Sequence, residues 1–105
     1  MKTLRILPEA EEELAEAAVW YEEKRPGLGI ELVAVVDRAL EEIADAPLVC
    51  GIWRDDRPYR RKVLTRFPYV IFFRLDGDAV VVMAVAHSRR RPGYWADRAR
   101  RKGRS

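Results

Sequence analysis

Ala79-Val80-Val81-Val82-Met83-Ala84-Val85-Ala86-His87-Ser88-Arg89-Arg90-Arg91-Pro92-Gly93-Tyr94-Trp95 is the most informative run in the chain. Its first eight residues are apolar on both alternating faces and follow the turn signal Asp76-Gly77-Asp78. That pattern predicts a strand buried on both sides, and such a strand lies inside its sheet. The second half brings the only histidine, three consecutive arginines and two aromatics to the end of that strand. A site is expected there.

Working back toward the N-terminus, Asp76-Gly77 is a hairpin signal that joins the strand to the β-prone run Tyr69–Leu75. Before Phe67-Pro68, residues 59–67 alternate, with Arg61, Val63, Thr65 and Phe67 on one face and Arg60, Lys62, Leu64 and Arg66 on the other. Residues 59–87 therefore read as a three-stranded antiparallel meander. Residues 47–58 hold turn formers without a sustained period and read as a connecting loop, with Trp53 plugging the edge of the core.

The N-terminal half has a different period. Lys2 to Leu7 suggests a short first strand, and Pro8 suits the first turn of a helix. Ala10, Leu14, Ala17, Ala18 and Tyr21 recur at spacings of three and four. Glu9, Glu12, Glu13 and Glu16 fall on the opposing face, where they are expected to be solvated. Pro26-Gly27 stops this helix, and Ile30, Val33, Val36, Leu40 and Ile43 carry a second one that ends before Pro47. The short link makes the two an antiparallel hairpin. The expected fold is α+β, in the order β-α-α-β-β-β. The hairpin packs on one face of a mainly antiparallel four-stranded sheet, within a single domain over residues 1–105. Residues 96–105 form a short basic tail.

Composition narrows the function classes. With 49% hydrophobic and 35% charged residues, 105 residues suffice for a folded core. Cys50 is the single cysteine, which excludes a disulfide framework or thiolate cluster and makes it a small apolar residue at a loop or core edge. No signal peptide or membrane-length apolar run is visible, so the expectation is a cytoplasmic protein without a membrane partner. No metal site or cofactor is indicated. Charge is polarised: residues 1–50 hold five Lys/Arg against twelve Asp/Glu, a balance of −7, and residues 51–105 hold fifteen against five, a balance of +10. Such asymmetry suits a polyanionic or acidic partner on one face.

The order and local sequences resemble the RelE/ParE family of bacterial type II toxins. The resemblance rests on Pro8-Glu9-Ala10-Glu11-Glu12-Glu13-Leu14, Trp20-Tyr21-Glu22-Glu23, Arg25-Pro26-Gly27-Leu28-Gly29, Arg66-Phe67-Pro68-Tyr69 and His87 to Trp95. It implies a growth-inhibiting toxin, associated with plasmid stabilisation and held inactive in a hetero-oligomer by a cognate antitoxin whose C-terminal segment wraps the helical hairpin and sheet. Trp20 and Tyr21 are the candidate antitoxin contacts: they cannot both face the sheet, so one of them, Trp20 first, is free for a partner, and packing within the hairpin is the other reading. The RelE-like branch cleaves messenger RNA on the ribosome, which needs converging basic and phenolic groups. The candidates here are His87, Arg89, Arg90 and Tyr94, with Arg61, Lys62 and Arg91 as phosphate- or target-binding groups. That branch carries an arginine where this chain reads Pro68-Tyr69-Val70-Ile71. The resemblance is closer to the ParE-like branch, which implies DNA gyrase as the target and inhibition by binding. A general nucleic-acid-binding module is the third reading. His87 is open between an acid–base role and a cap on the sheet, and Tyr94-Trp95 between a site and an anchor that folds the tail onto the core.

Overall fold

Pro8 ends the first strand and opens the first helix in a single step. The computed structural model describes residues 2–54 and 58–98. Its elements are β1 (Thr3–Ile6), α1 (Pro8–Lys24), α2 (Leu28–Asp45), a 3-10 turn (Pro47–Val49), β2 (Gly51–Ile52), β3 (Tyr59–Val63), β4 (Tyr69–Asp76) and β5 (Ala79–His87).

The sheet has five strands in the order β1-β5-β4-β3-β2. All neighbours are antiparallel except β1, which runs parallel to β5 from Thr3↔Ala79 to Ile6↔Val82. The α+β class and the 59–87 meander stand, but the four-stranded count does not. Gly51 and Ile52, inside the expected loop, pair with Arg61 and Arg60 as a fifth, edge strand. Two residues are too few to show any period in sequence, which is why this strand escaped the reading. β3 also stops at Val63, short of Phe67. Leu64 and Phe67 are buried from the following turn, where the Leu64 N–H donates to the Tyr69 carbonyl at 3.0 Å.

Each face of the sheet has its own core. On one side, Leu32, Val36 and Ile43 of α2 and Ala10 and Ala17 of α1 pack on Ile71, Phe73, Val80, Val82 and Val85. On the other, Trp95 is fully buried against Tyr59, Phe72, Val81 and Met83. Trp53 closes that second core, its ring centroid 5.2 Å from that of Trp95 and 5.7 Å from that of Phe72. Trp53 therefore plugs a core edge, and Trp95 anchors the start of the tail. Residues 99–105 of the basic tail lie outside the described residues.

The hairpin is tight at one point. A Cβ on Gly29 would lie 2.3 Å from the Ala18 carbonyl oxygen, so only glycine lets the start of α2 approach α1 this closely. The first turn of α2 has no cap from its own N-cap residue, Gly27. The Glu22 carboxylate of α1 supplies one, accepting from the Gly27 N–H at 2.7 Å and the Gly29 N–H at 3.0 Å. These backbone donors, Gly27 foremost, hold the Glu22 carboxyl below the usual carboxylate range.

Gly29→Ala adds helix propensity of about 1 kcal/mol yet forces the helices apart, at a cost of about 1–3 kcal/mol. The expected outcome is a melting temperature lower by roughly 5–10 °C in a thermal scan. Because the Glu22 pKa is lowered on folding, its contribution is present above the ordinary carboxylate pKa and fades as pH falls through the folded value. Glu22→Gln should therefore flatten the acid limb of a melting-temperature profile taken between about pH 5 and pH 3.

Candidate functional site

β5 carries a bulge that decides which way its end faces. Phe72 pairs with Ala84 and Phe73 with Val82, so Met83 is an extra residue with no partner on β4. Val80, Val82 and Val85 then face the helices, while Val81, Met83, Ala84 and Ala86 face the Trp95 core. Without the extra residue, the alternation begun at Val80 would send His87 to the Trp95 side. With it, His87 joins Tyr69 on the helix side, their ring centroids 5.2 Å apart.

The bulge coincides with the end of β1, whose backbone pairing stops at Val82. Side chains take over from there. Glu13 of α1 accepts the Val85 N–H at 3.0 Å, and Arg98 donates to the Met83 carbonyl at 3.0 Å. Arg98 and Glu13 bond each other twice, at 2.9 and 3.1 Å, and the Tyr94 hydroxyl donates to Glu13 at 2.5 Å. Glu13 is thus part-buried and fully engaged, which corrects the expectation that it is solvated with Glu12 and Glu16. Burial first, and then the Glu13 carboxylate, push the Tyr94 phenol far above its ordinary value. Burial is the largest single influence and works against the Arg98 charge, but the Glu13 hydrogen bond together with the negative charges around it, Glu13 first, outweighs burial and the Arg98 pKa is raised.

The predicted site residues divide around this hub. His87 Nδ1 accepts the Arg89 N–H at 3.1 Å, which leaves Nε2 as the protonated nitrogen of the neutral ring. Arg90 lies over the Tyr94 ring at 3.9 Å, and Arg89, Arg90 and Arg91 are all exposed. Arg61 lines a cleft with Arg90, Arg91 and Ser88. Lys62 stands apart on the helix side of the sheet, paired with Glu42 at 2.8 Å. Trp20 is exposed, with Lys24 over its ring at 4.8 Å. Tyr21 sits at the core edge, its ring 5.1 Å from Phe67. Trp20, Tyr21, Tyr69, His87, Arg90 and Tyr94 line a groove of about 400 Å³ between α1 and the end of β5.

No three His, Cys, Asp or Glu side chains stand together as metal ligands among the described residues. Burial raises the Cys50 thiol above its ordinary pKa, which disfavours a nucleophilic thiolate. No helix among the described residues is long and apolar enough to cross a membrane. Sequence reading missed Glu13 and Arg98 altogether. Their one signal was a glutamate at the helix position next to Leu14, at the boundary of the apolar stripe.

A family model described as "ParE toxin of type II toxin-antitoxin system, parDE" matches residues 4–92. The chain belongs to the ParE toxin family. Among solved structures, the fold is similar to a chain of the chromosomal ParDE toxin–antitoxin system from P. aeruginosa, with a TM-score of 0.74 and 17% identity, covering 83% of this chain and 96% of that one. No curated protein sequence matches. The matched region runs from β1 through the arginine triplet, so it contains Glu13 but stops before Tyr94 and Arg98.

Glu13→Ala strands the half-buried Arg98 and the Val85 N–H, at an expected cost of about 3 kcal/mol in urea unfolding. Adding Arg98→Met should recover part of that loss, because it removes the uncompensated charge. A double mutant as unstable as the additive sum would refute the coupling.

Proposed function

We propose that this ParE-family toxin acts by binding DNA gyrase and inhibiting it without chemistry of its own, and that a cognate antitoxin neutralises it. Family membership supports the toxin reading. The observation that favours binding over RNA cleavage is the engagement of the two acid–base candidates. Cleavage through a 2′-hydroxyl draws on a base and an acid with pKa values near the working pH. The Tyr94 hydroxyl is committed to Glu13 and its pKa is pushed still further above neutral pH, while His87 Nδ1 is occupied by the Arg89 N–H. The RelE-like alternative would have to release both.

An antitoxin segment needs apolar anchorage. Val19, Trp20 and Ile30 are the large apolar side chains exposed on the hairpin, with Val19 and Ile30 in a groove between the helices that also includes Ala18, Val33 and Ala34. Trp20 stands beside the second groove, toward Tyr94. Both surfaces suit a segment that folds as it binds.

Purified toxin is expected to block gyrase supercoiling at micromolar concentration, and unchanged supercoiling there refutes the proposal. Loss of a general base costs about 100-fold or more in rate. Toxicity of His87→Gln in a growth assay should show no loss of that order, and ribosome-dependent messenger RNA cleavage abolished by this change would favour the alternative. Trp20→Glu leaves the core untouched and should weaken antitoxin neutralisation by about 2 kcal/mol or more, read as growth arrest despite co-expressed antitoxin.

A further inference from the structure

Seven of the described lysines and arginines are matched with carboxylates. Lys2, Arg5, Arg25, Lys62, Arg66, Arg74 and Arg98 each lie against an Asp or Glu. Among the described residues Arg61, Arg89, Arg90 and Arg91 do not, and neither do Lys24, Arg38, Arg54 and Arg60. The first four fall at one end of the sheet: Arg61 is on β3, and the triplet follows β5, two strands across. Between them is a shallow cleft of about 160 Å³ whose lining, among the described residues, contains no carboxylate. It offers instead the guanidinium groups of Arg61, Arg90 and Arg91, the Ser88 hydroxyl and the half-buried Trp53 ring. Trp95 adds a buried indole N–H with no acceptor among the described residues.

We infer that this edge is a phosphodiester-binding site, through which the toxin contacts the backbone of a nucleic acid directly. The inference deepens the gyrase reading, because gyrase works with DNA in hand, but it rests on the arginine edge alone. Like-charged guanidinium groups held together without counter-charges need an anion to become favourable, and their forked donors match phosphate oxygens. Arg90 is already held flat on Tyr94 and Arg54 lies over Trp53 at 5.1 Å, so part of the ordering cost is met before binding. An acidic polypeptide is the competing polyanion. It would gain most from a free strand edge to pair with, yet β4 beside the cleft is paired on both sides, by β3 and β5, and the nearby edge strand β2 is only two residues long. A sugar–phosphate backbone needs no such edge.

The test is fluorescence anisotropy of the full chain with a labelled 20-mer of duplex DNA, a 20-mer of single-stranded RNA and an acidic peptide, across a salt series. Contact with three or four phosphates predicts a log–log salt slope of about −3 on duplex DNA. R61Q/R89Q/R90Q/R91Q should lose at least tenfold in affinity and flatten the slope. R5Q/R25Q/R66Q, equal in type of change but drawn from paired arginines, should change affinity by less than threefold. Residues 99–105 are common to all variants, so their charge cancels from the comparison. Thermal melts show that each variant is folded, and the four edge arginines are exposed, so their loss leaves both cores intact. Tighter binding to RNA than to DNA would keep the phosphodiester site and name RNA as its source. Absent binding, equal losses in the two variant sets, or stronger arginine-dependent binding to the acidic peptide would overturn the inference. Gyrase supercoiling measured on the same samples separates the two readings. Inhibition without nucleic-acid binding overturns this inference alone, and nucleic-acid binding without inhibition overturns the gyrase proposal alone.

Discussion

Glu13 stands where the sheet would otherwise be left incomplete. β1 is only four residues long because Pro8 turns the chain into α1, and β5 runs on for five residues past the last β1 pair. Those residues are buried, so their outward N–H and C=O groups need partners. A carboxylate from α1 and a guanidinium from the C-terminal turn serve as a substitute strand edge, and their mutual ion pair satisfies what remains of each. Three segments remote in sequence, α1, the β5 bulge and residues 94–98, are thereby tied at one carboxylate. An apolar residue at position 13 would leave the Val85 N–H unmet, and an unpaired Glu would not tolerate the burial.

The same arrangement divides labour at the strand end. Met83 shifts the alternation so that His87 and Val85 turn to the helices, while Ala86 stays with Trp95. The aromatic groove by Trp20 and the arginine cleft by Arg61 consequently open on opposite faces of the sheet, with Arg90 bordering both. Tyr94 links them chemically. Its hydroxyl belongs to Glu13 on one side, and its ring supports the Arg90 guanidinium on the other.

Most of the fold was legible because its elements are long and strongly periodic. The Ala79–Ala86 run, the two amphipathic helices separated by Pro26-Gly27, and the Asp76-Gly77 hairpin each state their structure locally. What was not legible depends on pairing between distant residues. Gly51–Ile52 becomes a strand only because β3 offers an edge. The bulge at Met83 has no marker, since a run apolar on both faces looks the same with or without one extra residue. For the site, the structure brings Arg61, Arg90 and Arg91 to one cleft. Lys62 was not part of that cluster, because adjacent residues on a strand face opposite ways. Glu13 was read as solvated because helical periodicity alone puts it on the polar face. Its partners, Tyr94 and Arg98, are more than eighty residues away and nothing local announces them.

The charge polarisation acquires a physical explanation from these pairings. Acidic residues of the hairpin do not simply repel an anion; Glu13, Glu31 and Glu42 reach across to Arg98, Arg66 and Lys62 and neutralise basic residues of the second half. Among the described residues, Arg61, Arg89, Arg90 and Arg91 form a group of cations without a carboxylate partner at the end of β5 and the neighbouring part of β3. Screening at physiological ionic strength acts over about 8 Å, so paired cations contribute little field beyond their own partners, whereas clustered unpaired ones reinforce each other within that range. Part of the net +10 of residues 51–105 is therefore neutralised by acidic residues of the first half. A ligand for the arginine edge is selected by local density of guanidinium groups, and the overall charge of the chain, only +3, has little part in it.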